Sequence, residues 1–384
     1  MFFYLKSIQL ILTLITKYKN LILKDIKMNK NIPNIGLVCN KEVRQRYSTD
    51  SELSRLKTFA NFTWQEFNET SDWDNHPSFS KESENKLIEF TKNLDALIVS
   101  HGSPLISKNV IENCPNLKFI GELEGDRFSQ RIDLESSFKN GINVVDTTHG
   151  SSYPVAEWAL GLSILGLKNA GEHFRNLISG KTVFPDGNRD EDPGFQAGEL
   201  WERKVGLIGC GHIGRRLLTF LKPFNTTNFV YDPYLDSEIA DILDFTQTSL
   251  EYVLSNVDVI ICLAPLTPKT KNMIGEKELN LIKPGTVLVN VSRGAIFNSE
   301  DLIKRLSRKD IIASLDVFEP EPIPEDSPIR NMENVFLSPH IAGVTKACQP
   351  RFFSIMIDEL ERFFSGHKTK YNLSNRTISN RKGL

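Results

Sequence analysis

Residues 205–215 read VGLIGCGHIGR, with Gly209, Gly211 and Gly214 set between a short apolar run and the amphipathic stretch IGRRLLTFLK. A G-x-G-x-x-G string in that setting leaves few folds open. Gly209 suits a tight strand-to-helix turn, Gly211 lets backbone approach a pyrophosphate, and Gly214 lets the helix pack closely on a sheet. The pyrophosphate would accept hydrogen bonds near His212 and Ile213, where the helix dipole favours an anion. Asp232, in NFVYDP, ends the next strand candidate 23 residues beyond Gly209. That interval suits a carboxylate that holds ribose hydroxyls. An Asp there repels a 2′-phosphate, and neither Pro233 nor Tyr234 offers a cation, so the expected cofactor is NAD rather than NADP.

The flanking sequence supports a parallel sheet. Short apolar, β-branched runs alternate with helical patterns, as βαβ units require. Strand candidates after Trp201 are Val205–Ile208, Asn228–Tyr231, Val257–Leu263, Thr286–Val291, Ile311–Leu315 and Val335–Ser338. Six short buried strands with crossovers predict a Rossmann-type doubly wound domain. Four more candidates precede them: Ile35–Cys39, Ala96–Ser100, Leu117–Gly121 and Ile142–Val145. A long helix is predicted from about Pro154 to Leu177, followed by a polar loop from Gly180 to Gly198. At 384 residues the chain can form two domains, each with its own core.

Composition narrows the partners. Lys+Arg at 46 nearly balances Asp+Glu at 48, so no global field favours nucleic acid or an anionic membrane. A small molecule is the expected ligand. Cys39, Cys114, Cys210, Cys262 and Cys348 are widely spaced and odd in number. They form neither a disulfide framework nor a metal cluster, so no metal and a cytoplasmic location are expected. Residues 1–27 contain an apolar stretch after Lys6 that is too short to span a bilayer and lacks a small-residue cleavage site. They are read as a disordered extension or a start upstream of the functional one at Met28, with a targeting or anchoring role as the alternative.

Three polar residues follow strand candidates in the second half, where ligands collect at the carboxyl ends of parallel strands. Arg293 ends TVLVNVSRG, Glu321 follows IIASLDVFEPEP, and His340 follows VFLSPH. Hydride transfer to a 2-oxo acid needs a cation for the carboxylate and carbonyl, which a guanidinium fork matches. It also needs a proton donor for the developing alkoxide, which a histidine supplies near neutral pH. A carboxylate beside that histidine orients the ring and raises its pKa.

With these strings in hand, the chain resembles the D-isomer-specific 2-hydroxyacid dehydrogenase family. The resemblance rests on VGLIGCGHIGRR, ICLAPLTPKTKNMI, LVNVSRGAI, SLDVFEPEP, LSPHIAG and SSYPVAEWALGL, spread over roughly 200 residues in the family's order. It implies a catalytic set of Arg293, Glu321 and His340. It further implies that Asp316 contacts the nicotinamide carboxamide, that Pro265 and Thr270 line the adenosine side, and that Val291 lies near the nicotinamide riboside. Formate dehydrogenases of the family carry Gln where Glu321 stands, which favours 2-hydroxy acid chemistry.

The implied architecture is two-lobed α/β: a Rossmann-type NAD-binding domain over 149–344 and a flavodoxin-like substrate lobe from 28–148 plus 345–384. A C-terminal helix near Pro350–Phe364 crosses back to the substrate lobe, and the tail beyond it leaves no room for the regulatory domain of many phosphoglycerate dehydrogenases. A homodimer through the cofactor domains and the Pro154–Leu177 helix is implied as well.

One departure stands out. The family loop before the Ile132-Asp133-Leu134 string is usually glycine-rich and holds the substrate carboxylate with backbone N–H groups. Here Asp126 and Phe128 replace expected glycines, Glu124 adds a second carboxylate, and Arg127 adds a cation. Glu124 and Asp126 beside a substrate carboxylate are unfavourable unless Arg127 or Arg131 offsets them. Either the substrate is larger or differently charged than glyoxylate or lactate, or the loop moves. Arg127 and His101, in VSHGSP, are the candidate substrate contacts. The expected function is interconversion of a 2-oxo acid and a D-2-hydroxy acid. The alternative, kept open by the altered loop, is an NAD-sensing protein like the family's corepressors.

Overall fold

The computed structural model describes residues 32–382 except 73, 74, 76, 78, 125–129 and 182–191. Residues 1–27, Arg127 and most of the 180–198 loop therefore lie outside the described residues.

Two parallel sheets carry the fold. The first comprises β1 (Asn34–Cys39), β2 (Asn61–Glu66), β3 (Ala96–Val99), β4 (Phe119–Glu122) and β5 (Asn143–Asp146), in the order β2-β1-β3-β4-β5. This is the flavodoxin-like order, with its switch point between β1 and β3. The second comprises β6 (Lys204–Ile208), β7 (Thr227–Tyr231), β8 (Thr246–Gln247), β9 (Val259–Cys262), β10 (Val287–Asn290), β11 (Ile312–Leu315) and β12 (Val335–Leu337). Its order is β12-β11-β10-β9-β6-β7-β8, so the direction of winding reverses between β6 and β9. That reversal defines a doubly wound dinucleotide fold. The two-lobed α/β expectation holds, and each of the ten strand candidates falls on a strand.

Two strands were not anticipated. The sequence of β2, NFTWQE, is polar and half-exposed at the sheet edge, and β8 is two exposed residues. Neither buries the apolar run that marks a strand between two helical layers.

Helices cover both faces of each sheet. Apolar cores lie on the two sides of the second sheet, one of them filled by Val155, Ala159 and Leu162 of the helix Ser152–Leu167 and by Leu217, Leu218 and Leu221 of the helix His212–Leu221. The chain then returns to the first sheet through the helix Gln349–Phe364, whose Phe352, Phe353, Met356, Ile357 and Leu360 are fully buried there. Each such side chain contributes about 1.5–3 kcal/mol by leaving water. A methyl group on Gly150 would overlap the Phe352 ring, and Arg351 donates to the Gly150 carbonyl at 2.9 Å, which locks the returning helix to the crossing point.

The predicted Pro154–Leu177 helix is two helices, Ser152–Leu167 and Ala170–Ile178. Between them Asn169 adopts φ 48°, a left-handed conformation that Asn tolerates. Its side chain donates to Glu172 at 2.7 Å, steadying the new first turn. The second helix then packs so tightly on β12 that a Cβ at Gly171 would lie 2.8 Å from the Val335 carbonyl oxygen. Inside the predicted 180–198 loop, Asp192 caps a short helix Pro193–Ala197.

Candidate active site

The strand β6 ends at Ile208, and the chain turns at once. Gly209 sits at φ 93°, and a Cβ there would lie 2.8 Å from the Ala264 amide nitrogen. Only glycine fits that turn. Gly211 is the N-cap of the helix His212–Leu221, and Gly214 is buried in its first turn, 3.1 Å from the Gly209 carbonyl oxygen by the same test. The first N–H groups of a helix have no partner within it, so this turn offers donors and a positive dipole end to an anion. His212 and Ile213, both half-buried, open that helix.

Asp232 follows β7 directly. Its carboxylate accepts from the Cys210 and Tyr234 amides, each at 2.9 Å, and so ties the glycine turn to the end of β7. Opposite, Pro265 is exposed at the end of β9, and Thr270 donates to its carbonyl at 2.6 Å, folding the 265–270 loop into one unit. Val291 is nearly buried beyond β10. A glycine cradle that a Cβ would fill, a helix N-terminus and a carboxylate at the next strand end are what a dinucleotide requires. The residues fit NAD.

The expected catalytic residues occupy consecutive strand ends. Arg293, after β10, is exposed, and the turn holding it is pinned by the Asn290 side chain, which donates to the Arg293 carbonyl at 3.1 Å. Gly294 follows because its Cα lies against the Phe318 backbone, where a Cβ would overlap. That contact sets Arg293 beside the loop leading to Glu321.

His340 Nδ1 lies 2.6 Å from Glu321 Oε1, with both side chains partly open to solvent. A carboxylate can only accept, so Nδ1 carries the proton and Nε2 is left for exchange with a substrate. His340 itself sits at φ 51°, strained for a non-glycine residue, and its N–H donates to the carbonyls of Asp316 at 2.8 Å and Ser338 at 3.0 Å. Strain of this kind persists only where the surroundings over-determine it.

Asp316 supplies much of that support. It is fully buried, and its carboxylate accepts from Trp158 Nε1 at 3.1 Å, the Ile341 amide at 3.0 Å, the Ala342 amide at 2.9 Å and the Ser338 hydroxyl. Three of those donors converge on Oδ1 and one on Oδ2. As it stands, Asp316 holds the backbone on both sides of His340. Trp158, which sequence reasoning left unassigned inside SSYPVAEWALGL, joins that network from the helix Ser152–Leu167.

On the first lobe, His101 is mostly buried after β3, 3.9 Å from Glu124. Burial first, and then the Arg131 charge, push its imidazole pKa down to about 4. It is neutral at neutral pH, so the Glu124 contact is polar rather than an ion pair. Arg131 is buried and saturated: it pairs with Glu122 at 3.0 Å, donates to the Glu124 carbonyl at 3.0 Å, and reaches the Ser71 hydroxyl at 2.6 Å. The Glu124 carboxylate accepts from the Tyr47 hydroxyl. Arg131 thus serves Glu122 with its charge and Glu124 with a backbone contact, whereas the sequence suggested an offset for Glu124 and Asp126. Asp126, Arg127 and Phe128 lie outside the described residues.

Five buried free thiols account for all the cysteines, and among the described residues no helix is long and apolar enough to cross a membrane.

The profile of the D-isomer specific 2-hydroxyacid dehydrogenase NAD binding domain matches residues 168–342. A D-3-phosphoglycerate dehydrogenase of Methanocaldococcus jannaschii is 31% identical over 283 residues, which span 73% of this chain and 52% of that longer protein. A glyoxylate reductase of Korarchaeum cryptofilum is 30% identical over 286 residues, covering 74% of this chain and 84% of its own. Among solved structures, a phosphoglycerate oxidoreductase from Rhizobium etli shares the fold, with a TM-score of 0.74 over 90% of this chain and all of its own at 19% identity. Motif order, strand-end geometry and these relatives agree: the chain belongs to the D-isomer-specific 2-hydroxyacid dehydrogenase family, and NAD is its cofactor.

Proposed function

We propose that the protein interconverts a small 2-oxo acid and the corresponding D-2-hydroxy acid. The observation that carries this reading is the His340–Glu321 pair at 2.6 Å, built at the end of the NAD-binding sheet on a strained, doubly anchored residue. NAD would be held by the glycine turn, the helix start at His212 and Ile213, and Asp232, with Pro265, Thr270 and Val291 along its flank, and it supplies or accepts the hydride. His340 Nε2 gives a proton to the carbonyl oxygen in reduction and takes it back in oxidation. Glu321 fixes the tautomer and orientation of the ring. Arg293 holds the substrate carboxylate and polarises the carbonyl. Asp316 positions the His340 loop.

The substrate lobe in this reading is 28–148 with 345–384, facing the NAD-binding domain of 149–344, with His101 and Arg127 on the substrate side. The neutral His101 can donate or accept, which suits a polar substituent better than a second carboxylate. The helix Ser152–Leu167 leaves Leu160, Ile164 and Leu165 half-buried in the single chain, which supports a homodimer through this lobe. The buried free thiols accord with a reducing cytoplasm.

The test is nicotinamide absorbance with NADH and a panel of 2-oxo acids, from glyoxylate and pyruvate through hydroxypyruvate to branched, aromatic and phosphorylated acids. Turnover of one member at a rate that His340→Ala abolishes establishes the reading. Tight NADH binding without turnover of any member overturns it in favour of an NAD-sensing protein.

A further inference from the structure

Beyond the helix Gln349–Phe364 the chain runs back along the first lobe. The Leu373 amide donates to the Val144 carbonyl at 2.7 Å, the Asp146 amide donates to the Tyr371 carbonyl at 3.1 Å, and Asn372 bridges antiparallel to Val145. The buried Glu359 carboxylate accepts from the Lys370 and Tyr371 amides at 2.6 and 3.1 Å. The segment is therefore built onto β5 and carried by the first lobe.

From that anchorage it reaches the second. The Tyr371 ring packs on His149, at 3.6 Å between centroids, and lies 5.3 Å from His212, whose ring is itself 4.7 Å from His149. Arg376 stacks 4.1 Å over the Tyr234 ring and donates to the Tyr234 carbonyl at 3.2 Å. His212 opens the helix behind the glycine turn, and Tyr234 follows Asp232 by two residues. The tail thus touches the dinucleotide site at two points that recognise different parts of one ligand: the pyrophosphate end and the adenosine ribose end.

Between the two points lies a cavity of about 300 Å³, within the size range of small-molecule sites. Its wall includes His212 and Pro265 from the second lobe and Lys370, Tyr371 and Arg376 from the tail. Asp146 is its one acidic lining residue, and Asp146 Oδ1 accepts from the Thr148 amide at 2.7 Å. Charge sharpens the picture. Residues 365–384, SGHKTKYNLSNRTISNRKGL, hold five Lys or Arg and no Asp or Glu, in a chain of net charge -2. Lys370 and Arg376, the tail cations that line the cavity, match a dianionic diphosphate.

We propose that the tail is the outer wall of the NAD site, and that Lys370 and Arg376 bind the adenosine-diphosphate half of the cofactor from the substrate lobe. Arg376 orders Tyr234, and with it the turn that Asp232 caps, while Lys370 faces the diphosphate across the cavity. The proposal rests on the NAD site described above.

The experiment titrates ADP-ribose and nicotinamide mononucleotide into the full-length protein by calorimetry, at two salt concentrations. Lys370→Ala and Arg376→Ala should each weaken ADP-ribose binding several-fold, and the double variant about ten-fold or more, with a shallower salt dependence. Nicotinamide mononucleotide, with one phosphate and no adenosine, should bind unchanged in Arg376→Ala and lose less than ADP-ribose in Lys370→Ala. Lys368→Ala removes a tail charge outside the cavity wall and serves as the control. Equal affinity in wild type and double variant overturns the tail's role while leaving the NAD site intact. An equal loss in Lys368→Ala reduces the effect to general charge and also overturns it. Failure of the wild type to bind ADP-ribose removes the NAD site itself, and the proposal with it.

Discussion

The two sheets use one topological device to opposite ends. At the β6/β9 switch point of the second lobe, Gly209 clears the turn and Gly211 starts a helix whose first N–H groups face outward. At the β1/β3 switch point of the first, the loops are stitched shut: the Asn40 amide donates to the His101 carbonyl at 2.9 Å, and a Cβ on Gly102 would lie 2.7 Å from the Asn40 nitrogen. Beyond β4, at the carboxyl edge of the same sheet, Arg131, Glu122, Glu124 and Tyr47 satisfy one another. A crevice at a switch point is an opportunity that the fold provides. Whether it becomes a nucleotide site depends on glycines that leave room or on side chains that fill it.

The largest effect that sharpens this contrast is expected at the second lobe's reacting end. His340→Ala should lower kcat/KM by about 10²–10⁴, the usual worth of a positioned acid–base, with NADH affinity measured by fluorescence retained. Glu321→Gln should cost less, because the amide oxygen can still accept from Nδ1 and hold the ring while its charged partner is lost. An unchanged rate in His340→Ala removes the proposed proton donor.

A comparable loss, in stability rather than rate, is expected in the first lobe. Arg131→Met leaves the buried Glu122 carboxylate without its cation, and breaking a buried pair costs about 3–5 kcal/mol. Urea unfolding measures it. The double change Arg131→Met with Glu122→Met should recover most of the loss. If Arg131→Met instead leaves stability intact and weakens substrate binding, the first-lobe cluster belongs to the site rather than to the framework.

The two lobes also differ in how much their sequences disclose. The glycine turn, Asp232 and the Arg293, Glu321 and His340 positions are local: each lies within a few residues of an apolar strand that marks its place. The sheet order follows from the same periodicity. The break at Asn169 was hidden because apolar spacing continues through it, and only the packing of Gly171 on Val335 shows why the helix must turn. The role of Asp316 was partly hidden as well, since its four donors come from two stretches of chain, Trp158 and the segment 338–342, that sequence spacing does not bring together. Tyr371 and Arg376 carried no local signal at all. Their contacts with His212 and Tyr234 span well over a hundred residues and exist only because the tail crosses between lobes.

A smaller effect tests the two switch-point glycines, both at positive φ, against each other. Gly209→Ala and Gly102→Ala both force a Cβ into backbone at φ 93° and 87°. Each should cost about 1–3 kcal/mol in backbone strain. Gly209→Ala is expected to spend it on NADH affinity, a loss of roughly 5- to 150-fold. Gly102→Ala should lower Tm and leave NADH affinity unchanged. The contrast between an open and a closed switch point breaks if the two variants exchange these outcomes.

At neutral pH the smallest effect comes from His101. Its folded pKa is depressed to about 4, below the ordinary 6.5, so the unfolded chain binds the proton more readily. Stability is therefore unaffected above about pH 6.5, falls as the pH drops from there toward 4, and levels off below, by at most about 3 kcal/mol. His101→Gln should flatten that part of the stability–pH curve measured by urea unfolding. Arg131 depresses the same pKa through its charge, so Arg131→Met should narrow the window from its acid side while lowering stability at every pH. A curve of unchanged steepness in His101→Gln would place the buried proton acceptor elsewhere, among the carboxylates that surround Arg131.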